Sequence, residues 1–438
     1  MSLKTPAQSN HNQNTSLKAT LTLFDATAVG IGAIIGAGIF VVTGIVAGLA
    51  GSALIVSVLI AGVVSLLTAL STAELARKLP EEGGVYDYAH KMLSPFAGFI
   101  TGWMWAISNI FVGATVSLGF AYYFSAVVPS VPPQIIAAIM CLLLSGLNTV
   151  GAHYSASINN ILVIIKLLIL VFFIIFGATR IETGNLVPFK PFAVGVIQGA
   201  YFIFFAFSGF ARVSIIAGEV EHAARNVPKA ILLSLGISSV VYILVGFIAV
   251  GVAGASVLGA SNSPLADALK IRGDLFASRI VSLGALVATT TVLLTTIFGV
   301  SRMIYSMTEN DELPGMLGKL HPKFDTPYYA IWLSVIIMSV LAVLANLHQV
   351  LAISTFASLF YYTIANLSAL KLKTEERRYP RIISILGVVS CLGLLFFSSF
   401  ETPVALIVGL IALIAGTVYY KLRERRRMNV HSSTDQTH

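Results

Sequence analysis

The chain has 438 residues, 57% of them hydrophobic and only 11% charged, with 36 glycines besides. Soluble domains carry roughly 25% charged residues, so a water-soluble enzyme, a nucleic-acid binder and a secreted disulfide scaffold are excluded. The net charge of +8 does not point to a polyanion, because most basic residues sit in short polar links between apolar runs, where they orient a membrane protein.

Residues 1–23 are polar and lack the early apolar core of a signal peptide, so they read as a tail. Beyond them apolar runs recur at about the 20-residue length that crosses a bilayer. The runs are continuous rather than alternating, which argues against a β-barrel. Twelve spans are expected, at 24–49, 53–76, 95–127, 134–150, 157–178, 195–217, 229–253, 278–307, 328–346, 349–370, 381–399 and 403–420. The third and eighth are long enough to tilt or to project beyond the lipid. Residues 421–438 are charged, then Ser/Thr-rich, and read as an unstructured tail. The expected fold class is an all-α polytopic membrane protein with no soluble domain.

Twenty of the 27 Lys and Arg residues fall in links on the side of the N-terminus, five on the other side, and two, Lys166 and Arg212, inside spans. The positive-inside rule then puts both termini in the cytoplasm of a multi-pass protein. Cys141 and Cys391 both lie in apolar spans, and the eight histidines do not cluster at ligand spacing. Neither a disulfide framework nor a metal or other cofactor site is expected.

Span 1 carries Gly30, Gly32, Gly36 and Gly38 within nine residues, each weakening a helix by about 1 kcal/mol relative to Ala. One reading is close helix packing through Gly32-x-x-x-Gly36. The other is an unwound stretch around Gly36–Gly38, whose freed backbone groups are tolerated at that depth only beside a cavity. A dinucleotide fingerprint is rejected, because no strand precedes the glycines. Span 6 has its own small, polar interruption at Ser208-Gly209. Interrupted spans at matching places in two halves point to an inverted-repeat transporter with its site between them. Spans 1–5 (24–178) and 6–10 (195–370) would be the repeats, and 381–420 two added helices. A half-helix N-terminus suits a carboxylate and free carbonyls suit an ammonium, so the ligand read from the breaks is an α-amino acid.

Several motifs now add up. Gly32-Ala-Ile-Ile-Gly-Ala-Gly-Ile-Phe40, Ala73-Glu-Leu-Ala, Pro80-Glu-Glu-Gly-Gly-Val-Tyr86, Gly102-Trp103, Glu219-Val, Asn226-Val-Pro-Lys-Ala-Ile231, Ser301-Arg302, Asn310-Asp-Glu-Leu-Pro314 and His321-Pro occur in order. Together the chain from about 20 to 370 resembles the amino acid–polyamine–organocation permease superfamily. The resemblance implies a LeuT-like fold of 5+5 helices plus two, with helices 1 and 6 discontinuous, working by alternating access. It implies that the amides of Ala37 and Gly38 beside Gly36 hold the substrate carboxylate. It also implies that the carbonyls of Ile34, Phe205 and Ser208, next to Gly209, hold the ammonium. Phe205 takes the place of a gating aromatic, with a packed core Phe as the alternative. Asn109 falls near a side-chain subsite, or else caps a helix contact.

Lys166 lies too deep in span 5 for its side chain to reach either membrane surface. It should face the bundle interior with a partner. In relatives the resemblance calls up, a lysine here replaces a sodium ion between spans 1 and 8. Gly30 and Ile31 would offer carbonyls and Thr290 and Thr291 hydroxyls. Burial disfavours a charged amine, so Lys166 is the expected proton-coupling residue. The acidic position that some relatives carry after the span 6 break is Ala211 here, so that role does not transfer. Glu74 and Arg212 lie near span ends and read as snorkelling groups or a mutual pair.

The expected function is secondary active transport of amino acids across the plasma membrane by proton symport. The partners are the substrate, protons and membrane lipid, with no nucleic acid. The alternative is an amino acid or polyamine exchanger without net proton flux. A channel would need a continuous polar pore, and an enzyme clustered acid, base or metal ligands in the spans; neither pattern is seen, so no enzymatic activity is expected. The absence of a mid-depth carboxylate leans toward neutral amino acids.

Overall fold

The computed structural model describes residues 19–434 apart from 81–83, 127 and 152–155; nothing is said of the side chains at 156, 398–401 and 426–434. The tail as far as Lys18, Glu81-Glu82-Gly83 of the acidic–glycine motif, His153 and the last four residues lie outside the described residues.

Regular structure among these residues is helical, and the β-type pairing is limited to an isolated bridge between Leu21 and Val220. The first apolar stretch comprises α1 (Leu23–Ile34), a π-helical turn Gly38–Val42, α2 (Thr43–Ala50) and α3 (Leu54–Lys78). A short α4 (Val85–Met92) precedes α5 (Pro95–Ser125), α6 (Pro133–Thr149) and α7 (Ala156–Ala178). Then come α8 (Val194–Phe207), a 3-10 turn Ser208–Ala211, α9 (Arg212–Ile215) and α10 (Ala223–Ala253). α11 (Ala255–Gly259) and α12 (Pro264–Ile271) occupy the link before α13 (Leu275–Glu309). The chain closes with α14 (Tyr328–Leu344), α15 (Leu347–Leu370), α16 (Arg381–Glu401) and α17 (Pro403–Thr434).

Local chemistry sets many of these ends. α1 starts on a capping box: the Asp25 amide donates to Thr22 Oγ1 at 3.3 Å and the Thr22 amide to Asp25 Oδ2 at 2.9 Å. α5 starts with Ser94 as cap and Pro95 in the first turn, where its missing N–H is not needed. Asn346 and Gln349 form a second capping box at the head of α15. Between α2 and α3 the chain turns at Gly51, whose φ of 62° disfavours any side chain.

Eight helical stretches are long and apolar enough to cross a membrane, Leu23–Lys78 among them, and three further apolar helices are shorter. This is a mostly helical, polytopic membrane protein. Three short helices, α4, α11 and α12, lie in the links between the spans expected from sequence. α17 also runs past residue 420 to Thr434, where the reading ended the span and expected an unstructured tail. The charged run Lys421–Arg427 consists of good helix formers, whose cations suit a helix C-terminal half.

α1 packs on α10 and α7, α8 on α3 and α2, and α13 on α5. α5 and α15 are the most enclosed of the long apolar helices and α17 the least. The interrupted segments α1 and α8 are therefore interior elements, and the space between them is walled by protein.

Candidate functional site

α1 stops at Ile34 because Ile35 turns extended (φ −80°, ψ 94°), and helical geometry resumes only in the wide turn Gly38–Val42. α8 stops at Phe207 and tightens into the 3-10 turn Ser208–Ala211 before the four-residue α9. The unwound reading of span 1 is the one the chain adopts. Glycine makes it possible for the two breaks to touch. A Cβ on Gly38 would stand 2.5 Å from the Ala206 Cβ, and one on Gly209 would collide with the Ala33 carbonyl.

Each break leaves main-chain carbonyls without helical partners, and tyrosines meet several of them. The Tyr242 hydroxyl of α10 lies 2.7 Å from the Ile34 carbonyl oxygen and 3.1 Å from that of Ala206, sharing its one proton between the two breaks. Tyr362 of α15 donates to the Ser208 carbonyl. The Ser208 hydroxyl donates to the Phe205 carbonyl at 2.8 Å. The carbonyls of Ile34, Phe205 and Ser208, expected to be free for an ammonium, thus each already accept a hydroxyl. The Phe205 carbonyl also accepts the Ser208 amide, so both of its acceptor positions are taken.

Between the breaks lies a cavity of about 30 Å³, room for two or three waters by the usual ~10–15 Å³ each. Anything as large as an amino acid enters it only as the walls part. Ile34, Gly36, Ala37 and Gly38 line it from the first break, and Phe205, Ser208 and Gly209 from the second. Asn109 of α5 completes the set of residues singled out from sequence. Its Nδ2 donates to the Trp105 carbonyl of its own helix at 2.9 Å, leaving the side-chain oxygen toward the cavity wall. Trp105, Ser108, Val292 and Tyr361 also contribute and were not foreseen.

Lys166 of α7 is 1% exposed. Its Nζ donates to the carbonyls of Gly32 at 3.1 Å and Ile35 at 3.2 Å, and to Thr291 Oγ1 at 3.0 Å. Thr291 can accept because its own proton goes to the Ala288 carbonyl, 2.8 Å away. Gly30, Ile31 and Thr290 do not receive the ammonium. The Ile31 carbonyl is taken by the Ile35 amide at 2.8 Å, inside the helical ladder, whereas Gly32 and Ile35 stand where that ladder runs out. Gly30 instead lies against Ser234 and Val213. Thr290 is one residue further round α13 from Thr291.

Arg212 opens α9 directly after the second break and lines the cavity. It donates to Thr295 Oγ1 at 3.0 Å, Thr296 Oγ1 at 2.7 Å and Asn109 Oδ1 at 3.3 Å. The expected snorkelling or pairing with Glu74 gives way to this arrangement. Glu74, 3% exposed, accepts the amides of Arg378 and Tyr379 at 2.6 Å each, so it anchors the link ahead of α16.

The model of one protein family, described as amino acid permease, matches residues 25–433. The chain belongs to the amino acid permease family. An uncharacterised transporter of Mycobacterium tuberculosis is 33% identical over 93% of this permease and 92% of its own length. The branched-chain amino acid permease BcaP of Bacillus subtilis is 31% identical over 96% and 95%. A methylthioribose transporter of the same organism is 30% identical over 95% and 96%. These relatives are transporters rather than enzymes.

Two features of the permease's site had signals that sequence reasoning passed over. Arg212 was counted as a span end, although it stands only three residues beyond Gly209; a break there makes it a cavity residue. Tyr242 carries a hydroxyl in the middle of an apolar span, which needs a partner at that depth.

Proposed function

We propose that this permease is a secondary active transporter that carries an amino acid across the plasma membrane by alternating access, driven by proton symport. Counting Leu23–Lys78 as two arms and adding the three shorter apolar helices gives twelve spans. We read them as a 5+5 inverted repeat, 24–178 and 195–370, followed by two more, with both termini cytoplasmic. The observation that carries the reading is the meeting of two interrupted helices at one cavity. Irregular backbone at membrane depth is tolerated where it lines such a space.

In this reading the substrate carboxylate takes the amides of Ala37 and Gly38, which open a new helical segment and so lack intrasegment acceptors. The ammonium takes the carbonyls of Ile34, Phe205 and Ser208, the Ser208 hydroxyl turning away from Phe205 to make room. Phe205, 6% exposed at the cavity wall, moves to admit and then cover the ligand, while Asn109 faces its side chain. Lys166 ties the end of α1 to α13 while it carries a proton; its release loosens Gly32 and Ile35 from Thr291 and links the first break to the proton gradient. Sodium is not needed where the ammonium already bridges these oxygens.

The test is uptake of radiolabelled amino acids into proteoliposomes under an imposed proton or sodium gradient. Wild-type protein accumulates substrate under the proton gradient alone. Lys166→Ala loses that accumulation and keeps exchange between preloaded and external substrate. Undiminished proton-driven accumulation by the variant removes Lys166 from the coupling, and exchange without accumulation by the wild type makes the protein an exchanger.

A further inference from the structure

Among the described residues, Lys166 and Arg212 are cations packed against the two breaks, and the hydrogen-bond partners of both are neutral oxygens. No described carboxylate pairs with either. They differ in access: Lys166 is sealed among helices, whereas Arg212 is part-buried and lines the cavity.

A guanidinium has five N–H donors, and three hydrogen bonds hold this one to Thr295, Thr296 and Asn109. Those bonds fix its plane without neutralising it. The rest of the wall is apolar or neutral, with Trp105, Val112, Val116 and Val292 among its members. A cation in such surroundings carries a desolvation penalty that neutral acceptors offset only in part. The penalty is lifted if the missing negative charge arrives with the ligand.

The spacing suits a short ligand. Arg212 is three residues from Gly209, roughly 5 Å along a helical path. A molecule whose amino and carboxylate groups engage the breaks therefore carries its side chain to the guanidinium over two or three carbon atoms. A lysine- or arginine-like side chain meets like charge there, and an aliphatic one leaves the guanidinium unmatched.

We propose that Arg212 receives the anionic side-chain group of the substrate, so that the permease selects dicarboxylic amino acids, aspartate- or glutamate-like. The assignment rests on the cavity being an amino acid site and reverses the lean toward neutral substrates drawn from the missing mid-depth carboxylate. That lean counted anionic side chains as the means of recognition and overlooked a cationic one.

The test compares uptake of L-glutamate and L-aspartate with their near-isosteric amides, L-glutamine and L-asparagine, and with L-leucine, in proteoliposomes of wild-type protein, Arg212→Gln and Arg212→Lys. Wild-type protein favours the acids over the amides by about tenfold or more, the discrimination expected of one charge-assisted bond. Arg212→Gln brings the ratio near one, and Arg212→Lys keeps its direction with a smaller value. Wild-type uptake of amides or leucine equal to that of the acids overturns the proposal. So does an acid-to-amide ratio unchanged in Arg212→Gln. Indifference to side-chain charge, with a chloride requirement that Arg212→Gln removes, also overturns it and makes Arg212 an inorganic anion subsite. If wild-type protein moves no amino acid at all, the underlying reading of the cavity fails, a result distinct from loss of selectivity. Should Arg212→Gln fail to fold, the wild-type ratio and that of Arg212→Lys decide.

Discussion

The charged groups at the ends of the spans and those within them are handled in opposite ways. In the links, cations meet carboxylates: Arg180 with Asp274, Arg272 with Glu182, and Lys78 with Glu376 at 2.7 Å. Inside, Lys166 and Arg212 meet only carbonyls, hydroxyls and an amide oxygen. Exposed pairs of the first kind contribute about 0–1 kcal/mol each and chiefly fix where links lie. Cations of the second kind are costly to hold and add no counter-charge, so their presence beside two broken helices is hard to explain by stability alone. The contrast separates charges that shape the links from charges available to something that moves through the protein.

If that separation is right, disturbing the meeting point of the breaks should harm transport far more than disturbing any link pair. The largest effect is expected from Gly209→Ala. The added methyl meets the Ala33 carbonyl, a main-chain group that cannot swing aside. Overpacking of this kind costs about 1–3 kcal/mol, and here the relief available is to push α1 and α8 apart at the cavity. Proteoliposome uptake falls tenfold or more, while the protein still elutes as a monodisperse species. Normal uptake by Gly209→Ala would mean that the contact between breaks is incidental. Tyr242→Phe comes next. Removing the hydroxyl leaves the Ile34 and Ala206 carbonyls without its proton, a loss of about 1–3 kcal/mol for a buried acceptor. Thermal melting in detergent drops by a few degrees, and substrate affinity falls because the Ile34 carbonyl is no longer held in place. A melting point unchanged by this variant would show that another group meets both carbonyls.

Much of this was legible in the sequence, for reasons that differ by element. The spans follow from continuous apolar runs, since the lipid-crossing length leaves little freedom. The breaks were legible because Gly36, Gly38 and Gly209 accumulate where helix stability is lowest, and Lys166 because no reading puts an amine harmlessly at that depth. Which carbonyls it reaches was not legible. That depends on α1 ending at Ile34, which Tyr242 and the contact with α8 decide from distant parts of the chain. α12 was missed although Ser261 and Ser263 both bond the Asp267 carboxylate, at 2.6 and 2.8 Å, and Pro264 opens the helix. Hydropathy passes over a helix so short and amphipathic. α4 was missed for the same reason, although its residues matter: Tyr86 donates to Glu312 at 2.8 Å and accepts from Asn310 at 2.9 Å. Burial and the Glu312 charge push the Tyr86 phenol well above its usual range, so it stays a neutral donor joining two links.

The smallest effect is expected from Glu182→Gln, which tests the other side of the contrast. The hydrogen bond from Arg272 holds the Glu182 carboxyl below its ordinary range. A carboxyl shifted down in the folded state adds stability at pH above the unfolded carboxylate range and loses it as pH falls through the folded value. Acid therefore weakens this contact, whereas neutral pH leaves it intact. Because the carboxylate is 60% exposed, solvent screens most of the interaction. Glu182→Gln should leave uptake and melting temperature at pH 7 indistinguishable from wild type, and remove only a minor part of the loss of stability measured below pH 5. A large fall in transport at neutral pH would place a link charge in the transport cycle, and the division between shaping charges and working charges would have to be redrawn around α12 and the segment that follows α7.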